Sequence, residues 1–133
     1  MNLKPNEYSD DTEIVATVTV EGRPIKLRTS PEFEAFMQSV MDLDPKPMFQ
    51  QAIWLEQMSH FLTAGEQGKV RSVRIRGKTF EPRATHEARA FLDALLQLDD
   101  VPRRAAAALL STVAVRLFHI ATDRNPSLVP NDR

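Results

Sequence analysis

The chain repeats itself at a spacing of 55 residues, and this internal echo constrains its fold more than any other feature of the sequence. Between Glu13 and Ala64, 13 of 52 residues are identical to the residue 55 positions later. Ordinary composition would give roughly three or four such identities by chance. The identities include turn, helix-face and interhelix positions: Val18/Val73, Gly22/Gly77, Phe36/Phe91, Leu43/Leu98, Asp44/Asp99 and Pro47/Pro102. Self-similarity at a fixed period indicates two copies of one structural unit, although two unrelated units with one physical pattern would also produce it.

The first copy reads as a β-hairpin followed by two helices. Apolar and polar residues alternate from Thr12 to Val20, which is typical of a half-buried strand. Gly22 can take the positive φ of a tight turn, so we expect a return strand through Ile25 and Leu27. Ser30-Pro31 then begins the first helix with a hydroxyl cap and a proline in the first turn.

Prolines and glycines mark the ends of the remaining elements. The prolines of segment 44–47 end the first helix, because a residue before proline avoids the α region. A second helix is predicted from about Pro47 to Ala64, with Gly65 as a left-handed C-cap. In the second copy we expect a hairpin that starts at Lys69 or Val70, turns at Arg76-Gly77 and stops at Pro82, followed by helices over 85–98 and 101–122.

We therefore predict an α+β fold made by tandem duplication of a ββαα unit, with an approximate twofold axis. The hairpins should form one antiparallel sheet packed on four helices. The second helices should pack centrally, because the last helix is apolar nearly all round beyond its first turn. The predicted organisation is a flexible lead-in (1–11), a first repeat (12–65), a second repeat sharing its core (66–122) and a flexible tail (123–133).

The two copies differ in charge. Residues 1–66 contain 5 Lys/Arg and 11 Asp/Glu, a net charge of −6, whereas residues 67–133 contain 12 and 7, a net charge of +5. The second hairpin carries much of this excess, and the candidate partner-binding residues are Lys69, Arg71, Arg74, Arg76, Lys78 and Arg83. Alternation along the strand predicts that Arg74, Arg76 and Lys78 form one exposed row.

Clustered cationic side chains bind phosphates or acidic protein surfaces, so this hairpin predicts a protein partner with an acidic surface. Nucleic acid is the alternative partner, contacted by the hairpin as a β-ribbon. The net charge of −1 and the lack of aromatic residues among the arginines count against it. Two further explanations remain. The charges could prevent edge pairing of a solvated strand, or the basic and acidic hairpins could meet, within one chain or between two.

A second candidate surface is a narrow polar stripe of Thr112, Arg116 and His119 on the last helix. The small residues Ala105 and Ala108 continue it toward the start of the helix. One interpretation is a helix contact with another chain, including a second copy in a homodimer, because alanines permit close approach. The other is the exposed edge of a buried helix.

Patterns typical of enzymes are missing from the sequence. It contains no cysteine, four glycines, no glycine-rich phosphate loop and no histidine pair at ligand spacing. Asp44 and Asp99 recur in both copies, and we expect their side chains to accept amide hydrogen bonds where the helices meet. These features predict a protein without enzymatic activity, cofactor or metal. A set of large residues could line a small-molecule cleft between the repeats or form ordinary core: Met37, Met41, Met48, Trp54, Met58 and Phe61.

The expected location is the cytoplasm, with no membrane partner. Residues 1–11 lack the basic and apolar regions of a secretory signal, and the absence of cysteine excludes disulfides. The apolar run 105–121 is short for a bilayer and carries Arg116 and His119.

Overall fold

The computed structural model describes residues 13–129, so the predicted lead-in and the last four residues lie outside the described part. Its fold is mixed α+β with the element order ββααββαα. The elements are β1 Ile14–Val20, β2 Arg23–Arg28, α1 Pro31–Met41, α2 Pro45–Ala64, β3 Val73–Ile75, β4 Lys78–Phe80, α3 His86–Leu96 and α4 Asp100–Arg124. The predicted class, four helices and two antiparallel hairpins are therefore confirmed for the described residues.

The prediction of one sheet is wrong. Within residues 13–129, β1 pairs only with β2 and β3 only with β4. The reason is that the hairpins pack on different helices: β1 and β2 lie against α4, whereas Phe80 of β4 packs on Phe49 of α2 with ring centroids 4.7 Å apart. Their edges consequently do not meet, and the helices are not gathered on one face of a sheet.

The core centres on α2 and α4, as predicted, because these two helices share the most extensive interface among the described elements. Leucines at positions 55 residues apart in the two halves are buried in this layer: Leu55, Leu62, Leu110 and Leu117. Ala106, Ala107 and Ala114 are also buried, and their small size permits close approach of the helix backbones. The apolar character of α4 therefore reflects contact with α2 on one side and with the first hairpin on another.

The second layer is made by α1 and α3. Phe36 and Phe91 stack at its centre, with ring centroids 5.2 Å apart and an interplanar angle of 16°. Phe33 meets Phe91 edge-on at 5.5 Å. Aromatic pairs at such distances stabilise a core beyond the area that they bury.

Turn and cap chemistry follows the expected residue types in both halves. The turns at Glu21-Gly22 and Arg76-Gly77 have positive φ at all four residues, from 50° to 83°. Ser30 accepts a hydrogen bond from the amide of Phe33 at 3.1 Å, and Thr85 accepts one from the amide of Ala88 at the same distance. The predicted hairpin turns and the starts of α1 and α3 are therefore confirmed, whereas α2 begins at Pro45, two residues before the predicted Pro47.

The expected role of the interhelix aspartates is wrong. Asp44 and Asp99 are the N-cap residues of α2 and α4, but neither side chain makes a capping hydrogen bond. Their backbone carbonyls accept the first helical bonds instead, from Met48 and Arg103, each at 2.9 Å. Their negative charge still lies at the positive end of each helix dipole, where it is stabilising.

Gly65 ends α2 with φ 80°, as predicted. The guanidinium of Arg103 in α4 lies beside it and donates from Nε to the Leu62 carbonyl at 2.9 Å. A side chain at position 65 would come within 2.8 Å of this guanidinium. The first turn of α4 therefore caps the last turn of α2.

The helix α4 is longer than predicted and includes Asp123 and Arg124 of the expected tail. By length and composition the whole helix could cross a membrane, although the run 105–121 alone is too short to do so. Within the fold, 44% of its most apolar 18-residue segment is buried. Beyond the helix, Leu128 is only 3% exposed and joins the core. The cytoplasmic location stays a prediction.

Candidate functional site

Three residues of the second hairpin region, Lys69, Arg71 and Arg74, form an exposed cationic segment that we call the basic strip. The side chain of Gln57 on α2 binds both backbone groups of Arg71, the middle residue of the strip. The Arg71 amide donates to Gln57 Oε1 at 2.8 Å, and Gln57 Nε2 donates to the Arg71 carbonyl at 2.7 Å. Gly68 precedes the strip and lies so close to the Phe61 ring that an added Cβ would be 2.5 Å from it. The strip is therefore attached to α2 although its side chains face outward.

The predicted row of Arg74, Arg76 and Lys78 is wrong. In the hairpin register Arg74 lies opposite Thr79, whereas Ile75 lies opposite Lys78. Residues directly opposite each other share a face, and the two-residue turn therefore puts Lys78 on the inner face. Its Nζ donates to the Leu128 carbonyl at 3.2 Å and lies 5.3 Å from the centroid of the Phe80 ring.

The remaining two predicted residues lie at either end of β4. Arg76 occupies the turn with φ 50°. Arg83 is exposed, and its backbone amide donates to the Gln50 carbonyl of α2 at 3.2 Å. Among the described residues, no carboxylate lies within ion-pair distance of Lys69, Arg71, Arg74 or Arg83.

Within residues 13–129, no ion pair joins the first hairpin to the basic strip. At the turn of the first hairpin, Glu21 forms an ion pair with Arg104 of α4 at 3.1 Å, and Arg104 also contacts Asp100 at 2.9 Å. The hydrogen bond that Arg104 donates to the Glu21 carboxylate raises the pKa of Arg104 above its ordinary value. The intrachain form of the hairpin contact is therefore not formed by ion pairs among the described residues, the acidic residues Glu7, Asp10 and Asp11 lie outside them, and the form between two chains stays a prediction.

The predicted helix stripe is exposed along α4 from Ala108 to His119, whereas Ala105, its predicted continuation, is buried. Thr112, Arg116 and His119 line a shallow groove together with Ser111 and Val115, and 47% of Val115 is exposed. Ser111 donates to Glu56 of α2 at 3.2 Å, which places the inner wall of the groove at the central helix pair. Contact of this groove with another chain stays a prediction.

An apolar cleft of about 350 Å³ lies between the first hairpin, α1, α3 and the start of α4. The predicted cleft residues Met48, Trp54 and Met58 are buried in the core instead. The observed lining is mainly Val15, Leu27, Phe33, Phe91, Ala94, Leu95, Leu98, Pro102, Ala106 and Leu109, with Lys26, Arg28, Ser30 and Glu32 at the polar side. The predicted set of large residues does not include this site, because the small residues Ala94 and Ala106 of the second half leave the space open.

Within residues 13–129, no three His, Asp or Glu side chains are grouped as metal ligands. No protein-family model, curated protein or solved structure matches the chain. The absence of enzymatic activity stays a prediction.

Proposed function

We propose that this protein is a non-enzymatic binding protein whose basic strip contacts an acidic surface of a partner protein. The observation that carries the proposal is the attachment of the strip to α2, because Gln57 bonds both backbone groups of Arg71 while the cationic side chain stays exposed. A backbone held in place before binding loses less conformational entropy on association. Clustered positive charge would also accelerate encounter with an acidic partner.

The shape of the hairpin favours protein over nucleic acid. Each strand has three residues, and Arg74 with Thr79 is the one cross-strand pair of this hairpin in which both residues are exposed. A β-ribbon that reads a DNA groove needs several side chains that reach base edges. Binding to DNA is accordingly an outcome of the test and not part of the proposal.

The test measures affinity for an acidic peptide of alternating Glu and Ser. The variant Arg71→Ala/Arg74→Thr introduces the residues that the first copy has at these positions, Ala16 and Thr19. We expect it to bind about tenfold more weakly, since loss of two charge contacts removes roughly 1–2 kcal/mol.

The matched control is Arg23→Thr/Arg124→Ala, which removes two exposed arginines from outside the basic strip. We expect its affinity to change less than about twofold. Equal losses in both variants would overturn the proposal, because binding would then follow net charge. Tighter binding to a random-sequence DNA duplex, with a steep loss as salt rises, would replace the protein partner with nucleic acid.

We also infer that the two halves arose by duplication of one ββαα unit. The limits of α1 and α3 are 55 positions apart at both ends, and α2 and α4 begin 55 positions apart. Two contacts support the inference further, because each joins residues that are themselves 55 apart: Phe36 with Phe91 and Glu56 with Ser111. Contacts between equivalent residues are expected on a twofold axis.

A further inference from the structure

The apolar cleft has a counterpart 55 positions away, where the same space is filled by side chains. At three equivalent positions the first copy carries a larger or more polar residue than the second: Trp54 for Leu109, Gln51 for Ala106 and Ser39 for Ala94. Only the second member of each pair lines the cleft. The difference between the copies therefore accounts for an open site in one half and its absence in the other.

Direct contacts close the counterpart. Trp54 is 3% exposed, and the Arg89 guanidinium lies 5.8 Å from its ring centroid. Gln51 Oε1 accepts a hydrogen bond from the Thr85 amide at 2.8 Å. The Thr85 and Ser39 hydroxyls are hydrogen bonded, also at 2.8 Å. These contacts join α2 to the start of α3, and the Gln51 and Trp54 side chains are buried between the helices.

None of these contacts can form in the open half. Ala106 and Ala94 have no polar atoms beyond the backbone, so they cannot bond Ser30, which is the equivalent of Thr85. At one position the open half has the larger residue, because Phe33 corresponds to Ala88 and adds an aromatic wall to the cleft. The resulting volume of about 350 Å³ lies at the lower end of the range for small-molecule sites.

The polar side of the cleft is more basic than its counterpart. Lys26 corresponds to Glu81, 55 positions later. Arg28 and Glu32 correspond to residues of their own type in the second half. Lys26 is exposed and lines the cleft beside Leu27. An anionic group would thus find a lysine at the polar side while an apolar body contacts Phe33 and Leu109.

We propose that this cleft binds a small amphipathic carboxylate, with its acid group at Lys26 and its apolar chain against α3 and α4. The site is separate from the basic strip, and the two proposals can fail independently. The ligand class follows from two cationic side chains, Lys26 and Arg28, against one carboxylate, Glu32, at the edge of a mainly apolar lining, a combination that pairs orientation with burial. A medium-chain carboxylate such as decanoate fits this description.

The test is titration of the full chain with decanoate and with decanol, each kept below the concentration at which it aggregates. Binding is followed by calorimetry and by the NMR shifts of the Ala94 and Ala106 methyl groups. We expect decanoate to bind with a Kd of about 1 mM or tighter, as ligand efficiency allows for a molecule of this size. Decanol should bind more weakly. The Ala94 and Ala106 signals should move together during the decanoate titration.

The decisive variant is Ala106→Gln/Leu109→Trp, which places the residues of the filled counterpart in the cleft. It should lower decanoate affinity at least tenfold, whereas Ala35→Gln/Ala90→Trp, at exposed positions of α1 and α3 outside the cleft lining, should leave it unchanged. If the first variant does not fold, Ala94→Phe closes the cleft from an exposed position and should give the same loss.

The charge requirement is tested by Lys26→Glu against the exposed control Lys46→Glu. Only the former should weaken decanoate binding, by about threefold to tenfold, and it should not weaken decanol binding. The proposal is overturned if wild-type protein shows no shifts at Ala94 and Ala106. It is also overturned if Ala106→Gln/Leu109→Trp or Ala94→Phe still binds decanoate with wild-type affinity. Equal weakening of decanoate and decanol binding by Lys26→Glu would overturn it as well.

Discussion

The two halves of this protein share their helices and differ in the surfaces that surround them. The paired helices α1 and α3 have the same length, equivalent caps and equivalent phenylalanines that stack on each other. The two halves of the chain, in contrast, carry opposite net charge, and one half has an open cleft where the other has a buried tryptophan. Several residues that are identical in the two halves, such as Phe36 and Phe91, thus lie in the core, and residues that differ between the halves define the candidate sites.

The comparison also separates two ways of holding a hairpin. Glu21 attaches the first hairpin to α4 through an ion pair with Arg104. Gln57 attaches the region before β3 to α2 through two hydrogen bonds to Arg71. The first arrangement uses the charge at the hairpin turn, whereas the second uses a neutral amide and leaves the Arg71 charge available for a partner.

The largest effect is expected at the stacked phenylalanines. Phe36→Ala and Phe91→Ala should each lower the free energy of unfolding by about 3–5 kcal/mol, because each removes a buried ring from the same pair. Urea denaturation of both variants checks this. A large loss for one and less than about 1 kcal/mol for the other would show that the two positions are not equivalent.

Reciprocal changes at the cleft should have unequal effects on stability. Trp54→Leu should cost about 3 kcal/mol, because it opens a cavity in the filled half, whereas Leu109→Trp should change stability by less than about 1 kcal/mol because the cleft has space for the ring. Thermal denaturation of the two variants measures the difference. Equal destabilisation would contradict the assignment of one half as filled and the other as open.

The smallest difference concerns the equivalent helix caps. Ser30→Ala should cost about 1 kcal/mol through loss of its bond to the Phe33 amide. Thr85→Ala should cost about 2 kcal/mol, because it also removes the bond to Ser39. Chemical denaturation resolves the two values, and a larger loss for Ser30→Ala would mean that the Ser39 contact adds no stability.

Sequence reasoning predicted the parts of the fold that depend on local chemistry. Gly22 and Gly77 mark the turns, Ser30 and Thr85 mark the helix starts, and Gly65 marks a helix end, since backbone conformation restricts the residue at each position. The central pairing of α2 and α4 followed from an apolar surface too wide for one neighbour.

The same reasoning failed where the answer depends on tertiary contacts. Alternation indicates that one face of a strand is buried, but not which element covers it, so the two hairpins were wrongly joined into one sheet. The sequence predicts Lys78 in an exposed row and Leu128 in a flexible tail. In the fold, Lys78 instead donates a hydrogen bond to the Leu128 carbonyl. The cleft arises where side chains are small, and a search for large lining residues therefore overlooked Ala94 and Ala106.

Moving the basic strip between halves tests most directly whether its position carries function. A chain with Arg71→Ala/Arg74→Thr and the compensating changes Thr17→Arg/Thr19→Arg keeps the net charge but places both arginines on the exposed face of β1. Its Kd for the alternating Glu-Ser peptide, measured by calorimetry, should be about tenfold higher than that of the wild type. A Kd equal to the wild-type value would contradict the account, because attachment to α2 would then make no contribution to binding.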